Sequence, residues 1–106
     1  MATGWQRLRE KSKAKDKLID AKLHTAYARI DQITLGDANK ATSEIDKATS
    51  YVKEAMQQAD DAVKKKLAGI ETALKEAETC SKDKGNDALL RFAKIEAQLK
   101  QIIDNM

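Results

Sequence analysis

Apolar residues in the first half of the chain form two rows that mirror each other across Gly36. Taken outward from this glycine, the residues of the two rows pair so that their numbers always sum to 74 or 75. Two antiparallel helices folded back on one another require such a constant sum, and the spacing of three and four residues within each row is typical of helix-on-helix packing. The paired residues are Ile33, Ile30, Ala26, Leu23 and Ile19 before the glycine and Ala41, Ile45, Ala48, Val52 and Ala55 after it.

The first row continues toward the N-terminus and predicts a long first helix over residues 5–35. Its earlier positions are Trp5, Leu8, Ser12 and Asp16, mostly at the same spacing of three and four residues. Glycine favours the left-handed conformation that ends a helix, and aspartate caps the start of the next one. Gly36 and the following aspartate therefore predict a turn at residues 36–37.

A seven-residue repeat follows this turn, reading KATSEID, KATSYVK, EAMQQAD and DAVKKKL. Its composition is similar to that of many coiled coils and of some low-complexity stress proteins, and it indicates no particular family. After Ala59 the apolar row shifts by one residue, to Val63. A straight helix drifts about 20° per heptad, so five heptads account for a shift of roughly one residue. The pattern predicts one central helix over about 38–82, roughly 65 Å long at 1.5 Å per residue, with Gly69 as the candidate position for a kink.

The segment SKDKGND predicts a second turn at residues 83–86, followed by a third helix over 87–105. Apolar residues of the central and third helices pair with sums of 172 or 173. The predicted fold is an all-α, antiparallel three-helix coiled coil or bundle, forming a single elongated domain over residues 1–106. The predicted hairpin core consists of Ile19, Leu23, Ala26, Ile30, Ile33, Ile45, Ala48, Val52, Leu67, Ile70, Leu74, Phe92, Ile95, Leu99 and Ile102.

The composition agrees with long helices but predicts a thin core. The chain has no proline, four glycines and 17 alanines among 106 residues. Alanine favours the helix, yet each buried methyl-sized group contributes only about 0.8 kcal/mol. A protein partner or a homodimer is therefore expected to cover part of the apolar surface.

The net charge of +3 is concentrated at the N-terminus, where residues 1–22 carry seven Lys or Arg against three Asp or Glu. An aromatic residue among basic ones suits an anionic surface, either lipid or nucleic acid. The alternative interpretation makes Trp5 a core anchor opposite Ile70 and leaves the charges solvated. The pairing sum places the three consecutive lysines at 64–66 near residues 9–11. The candidate anionic-surface contacts are Trp5, Arg7, Arg9, Lys11, Lys13, Lys15, Lys17, Lys64, Lys65 and Lys66.

No catalytic, cofactor-binding or metal-binding pattern is present in the sequence. His24, the one histidine, falls near Tyr51 by the pairing sum, and the nearby Thr25 and Asp20 form no recognisable catalytic arrangement with it. Cys80 is the one cysteine, so an intrachain disulfide is impossible, and burial in the helical packing is its expected role. The prediction is a protein that is not an enzyme, needs no cofactor or metal and has no small-molecule substrate.

The sequence has no stretch of about 20 apolar residues that could span a membrane and no apolar signal-peptide core. Taken as native, the N-terminal sequence predicts a cytoplasmic protein, although an initiator Met on a recombinant fragment gives the same sequence. The function predicted is that of a non-enzymatic helical interaction or scaffolding module that acts through coiled-coil contacts. The alternative is a module that binds membranes or nucleic acid through the basic, Trp-containing N-terminus.

Overall fold

The computed structural model describes the backbone of residues 4–32, 38–83 and 85–106, and the side chains of residues 12–32, 39–80 and 88–106. Over these ranges the chain forms four helices: α1 (Gly4–Ile30), α2 (Ala38–Met56), α3 (Asp61–Asp83) and α4 (Gly85–Asp104). The all-α class is confirmed. The number of helices is wrong, because the predicted central helix is divided into α2 and α3. The predicted turn at 36–37 lies outside the described residues, and the one at 83–86 falls at the boundary between α3 and α4.

The four helices pack in a ring in which α1 lies between α2 and α4, and α3 lies between the same two helices. Lys17 bonds to Glu54 and His24 bonds to Glu44, so α1 and α2 run antiparallel. The molecule measures 49 × 20 × 19 Å with a radius of gyration of 14.2 Å. A compact chain of this length has a radius of gyration of about 13 Å. The expected rod of roughly 65 Å is therefore wrong. No described helix is long and apolar enough to cross a bilayer.

The helix break lies at residues 57–60, well before Gly69. The backbone N–H groups of Gln57 and Gln58 donate to the carbonyls of Glu54 and Ala55, which tightens the last turn of α2. The carboxylate of Asp60 then accepts a hydrogen bond of 2.9 Å from the backbone N–H of Val63. This is an N-cap, which satisfies a donor that the first turn of α3 would otherwise leave free. The one-residue shift of the apolar row therefore marks a reversal of the chain rather than the drift of a straight helix.

Each helix contributes one row of buried residues at alternating spacings of three and four, and α4 adds Ile103 beside Ile102. The rows of α1 and α2 are rich in alanine, whereas α3 and α4 supply most of the large side chains. Small residues facing large ones fill a four-helix cross-section at the density of a protein interior. The rows are Ala14, Leu18, Ala21, Thr25 and Ala28 in α1; Ala41, Ile45, Ala48, Val52 and Ala55 in α2; Leu67, Ile70, Leu74 and Ala77 in α3; and Ala88, Phe92, Ile95, Leu99, Ile102 and Ile103 in α4.

The predicted core row of α1 is wrong. Ile19, Leu23 and Ile30 are 46%, 44% and 47% exposed, and Ala26 is half-buried. Ile33 lies outside the described residues. The row that faces the bundle is instead the one that begins at Ala14, since small residues let α1 approach the large side chains of the other helices. The remaining predicted core residues, all on α2, α3 and α4, are buried.

Polar contacts between neighbouring helices flank the core. Arg29 of α1 donates to both carboxylate oxygens of Glu96 on α4, at 2.8 and 3.4 Å, and this hydrogen bonding raises the pKa of the arginine. Lys53 and Glu71 join α2 to α3 at 3.8 Å. Within the core, the Thr25 hydroxyl donates to the backbone carbonyl of Ala21 at 2.8 Å, so this buried polar group is satisfied by its own helix.

Gly69 lies inside α3, where the helix continues without a break and the glycine is exposed. A Cβ atom added there meets nothing within 4 Å. We expect Gly69→Ala to stabilise the fold by about 0.5–1 kcal/mol, because alanine loses less backbone entropy in a helix. Urea denaturation measures the change, and the reverse exchange Ala68→Gly at the adjacent exposed position should destabilise by a similar amount. A loss of stability in Gly69→Ala would contradict the expectation.

Candidate interaction surface on helix α1

Helix α1 carries a second apolar row in addition to the one in the core. This outer row comprises Ile19, Leu23, Ala26 and Ile30, with spacings of four, three and four residues. Tyr27 lies beside it and is 43% exposed. At 100° per residue the outer row is centred about 150° around the helix from the core row. Single exposed apolar residues are ordinary, whereas a contiguous row of them is a candidate interaction surface.

The two flanks of the outer row differ in charge. At 100° per residue, Lys15 and Lys22 fall along one side of the row. Lys13, Asp20 and Tyr27 fall along the other side. The surface is therefore an apolar strip with one basic edge and one edge that carries a lysine, an aspartate and an aromatic ring. The sequence prediction named Lys15 as a candidate anionic-surface contact but did not identify Asp20 and Tyr27 as surface residues beside the row, because it placed the strip itself in the core.

His24 lies at the contact between α1 and α2. The Glu44 carboxylate accepts a hydrogen bond from Nδ1 of the histidine, whose ring stacks on Tyr51 with centroids 5.4 Å apart and an angle of 11° between the planes. Tyr27 meets the same ring edge-on at 5.7 Å. The predicted proximity of His24 and Tyr51 is confirmed. The carboxylate and the two aromatic rings give the imidazole a packing role that joins the two helices.

The predicted anionic-surface residues are spread over two helices. The side chains of Trp5, Arg7, Arg9 and Lys11 lie outside those described. Lys13 and Lys15 are exposed, whereas Lys17 lies 3.2 Å from Glu54, which raises the pKa of the lysine through a hydrogen bond and its charge. Lys64, Lys65 and Lys66 are exposed on α3. Because α3 is diagonal to α1 in the ring, these three lysines are not on a helix adjacent to α1.

A shallow groove of about 420 Å³ runs between α3 and α4. Gly69 and Ala73 open it because their side chains are small, and Arg91 and Glu76, 3.3 Å apart, lie along it. Cys80 is half-buried against the core. Among the described side chains, no group of three or more His, Cys, Asp or Glu is placed to hold a metal ion.

These features define the chain as a four-helix bundle whose first helix has two apolar faces. Compared with protein-family models, with curated proteins and with solved structures, the chain gives no match. The surface of the bundle itself is therefore the basis for inferring a function.

Proposed function

We propose that the protein is a non-enzymatic helical interaction module that binds a protein partner through the outer row of α1. The observation that carries this proposal is the exposure of Ile19, Leu23 and Ile30, at 44–47%, at the spacing of a coiled-coil seam. Helix α1 already has a core row, so its own fold does not require the outer row to be apolar. Covering a half-exposed strip with a partner helix removes apolar area from water at about 25 cal/mol per Å².

Coiled-coil contact is the mode of binding that fits the shape of this surface. An amphipathic helix presents side chains at positions i, i+4 and i+7, and a second helix with the same periodicity packs against them. The strip is convex and about 18 Å long, from 12 residues at 1.5 Å each. A convex strip suits another helix better than it suits a small molecule, which binds in a concave site.

A photo-crosslinking amino acid at position 23 tests the proposal. We expect it to form a covalent adduct with a protein in the cells of origin, because Leu23 lies in the middle of the outer row. The control is the same probe at Leu90, which is 73% exposed on α4 and lies outside the strip. Adducts of equal yield from both positions, or none from either, would reject the proposal.

Vesicle flotation tests the alternative in which the chain binds an anionic surface. Binding to phosphatidylserine vesicles that is lost in high salt, without any protein adduct at position 23, would favour that alternative over the interaction module. The interaction module predicts a protein adduct at position 23 and no requirement for vesicles.

A further inference from the structure

The pattern of charges beside the outer row of α1 selects one partner and one orientation. This inference rests on the proposed function, since it names the occupant of the same strip. We propose that the strip binds a second copy of itself, so that two α1 helices pack side by side in parallel and in register.

Self-association follows from the spacing of the row. A seam with steps of four, three and four residues packs against a helix of the same period, with each side chain inserted between four residues of the facing helix. The α1 helix of a second copy offers this period and the same apolar residues. Two such strips cover each other around a two-fold axis, which is the commonest symmetry of protein dimers.

The orientation follows from the two edges of the strip. In a parallel pair the two-fold axis runs along the helices, and each edge of one helix faces the opposite edge of the other. Lys15 then faces Asp20 of the second copy, five residues further on, and Lys22 faces the ring of Tyr27. In an antiparallel pair each edge faces its own equivalent, so the basic residues of the first edge meet each other. The two Lys15–Asp20 pairs therefore favour the parallel pair, whereas the meeting of the two Asp16 side chains opposes it.

The length of the strip sets the strength of the dimer. Ser12 and Asp16 continue the row toward the N-terminus and are exposed and polar, so the apolar contact begins at Ile19. In the parallel pair the two Asp16 carboxylates lie next to each other across the seam and repel. A contact of about three helical turns is small for a stable interface, which needs about 800 Å² per partner. The dimer is therefore concentration-dependent.

Sedimentation equilibrium over a wide range of concentrations measures this association. We expect the mass to rise from that of one 11.8 kDa chain toward twice that value as the concentration increases. Leu23→Lys should abolish the rise, because it places two charges in the seam. The matched control Leu90→Lys should leave the rise unchanged. A monomer at all concentrations, or equal effects of the two variants, would overturn the proposal.

Disulfide trapping in a Cys80→Ser background determines the orientation. Ile19→Cys and Ile30→Cys, oxidised separately, should each give a cross-linked dimer, because equal positions face each other in a parallel pair. An antiparallel pair predicts the opposite result: neither variant cross-links alone, and a mixture of the two does. That second result would overturn the parallel arrangement.

Reversal of the charges at the edges of the strip provides an independent test of the parallel arrangement, with the affinity of the dimer as the measured quantity. Lys15→Glu and Asp20→Lys should each weaken the dimer by roughly 3- to 30-fold, since each breaks two symmetry-related exposed ion pairs. The double variant should recover the original affinity, and Asp16→Asn should strengthen it. No recovery in the double variant counts against the parallel pair.

The outcomes separate this inference from the proposed function. A chain that stays monomeric yet forms an adduct at position 23 with a different protein contradicts the homodimer and supports the interaction module. An adduct of twice the mass of the chain supports both. A chain that shows no self-association and forms no adduct at position 23 would contradict both proposals.

Discussion

Leu99→Ala is expected to destabilise the bundle by about 2–5 kcal/mol, a large part of the roughly 5–15 kcal/mol that holds a domain together. Leu99 is fully buried on α4, the helix that packs against α1 and α3. Its truncation loses the transfer free energy of the side chain and leaves a cavity. The alanine-rich rows of α1 and α2 carry few side chains that could move to fill this space.

Leu90→Ala is the matched control, since it makes the same exchange on the same helix at a position that is 73% exposed. We expect it to change the free energy of unfolding by less than about 0.5 kcal/mol. The change in helix propensity is the same in both variants, so the difference between them reports burial alone. Chemical denaturation followed by circular dichroism measures both. If Leu99→Ala were as mild as Leu90→Ala, α4 would be only loosely docked.

Asp60→Ala is expected to cost about 0.5–2 kcal/mol, because it removes the cap at the start of α3. The carboxylate of Asp60 accepts the 2.9 Å hydrogen bond from the backbone of Val63, and its negative charge lies at the positive end of the helix. Without this acceptor the backbone N–H of Val63 in the first turn of α3 has no side-chain partner. The four-residue reversal between α2 and α3 then lacks the cap that fixes where α3 begins.

Asp60→Asn is the control for this prediction. Asparagine is as good an N-cap as aspartate, so the variant keeps the hydrogen bond and loses only the charge. We expect it to retain most of the stability, with a small loss from the helix dipole. Thermal unfolding of the two variants compares them directly. If Asp60→Asn were as damaging as Asp60→Ala, the charge rather than the cap would be responsible.

The helices themselves could be predicted from the sequence because their signals are local. The absence of proline, the number of alanines and the rows at three- and four-residue spacing all act within one or two turns. These features also predicted the buried rows of α2, α3 and α4. The reversal at residues 57–60 was missed because Ala59 and Val63 continue an acceptable helical spacing, and aspartate is also common on exposed helical faces.

The candidate site was missed for a related reason. Helix α1 has two rows with coiled-coil spacing, and the prediction assigned to the core the row with the larger residues, Ile19, Leu23 and Ile30. The size of the apolar side chains is a reasonable guide to which row is buried when one helix is considered alone. In the bundle this guide fails, because α1 packs against α4, and α4 already supplies large buried residues, among them Phe92 and Leu99.

The sequence by itself determined that this chain is helical, where most of its helices lie and which positions within each helix share a face. These properties depend on hydrogen bonds and side chains close together along the chain. The tertiary structure alone decided that α2 and α3 fold against each other and that α1 turns its alanine-rich row inward. Both choices depend on how the volumes of all four rows fill one cross-section. That shared packing is what leaves the outer row of α1 exposed.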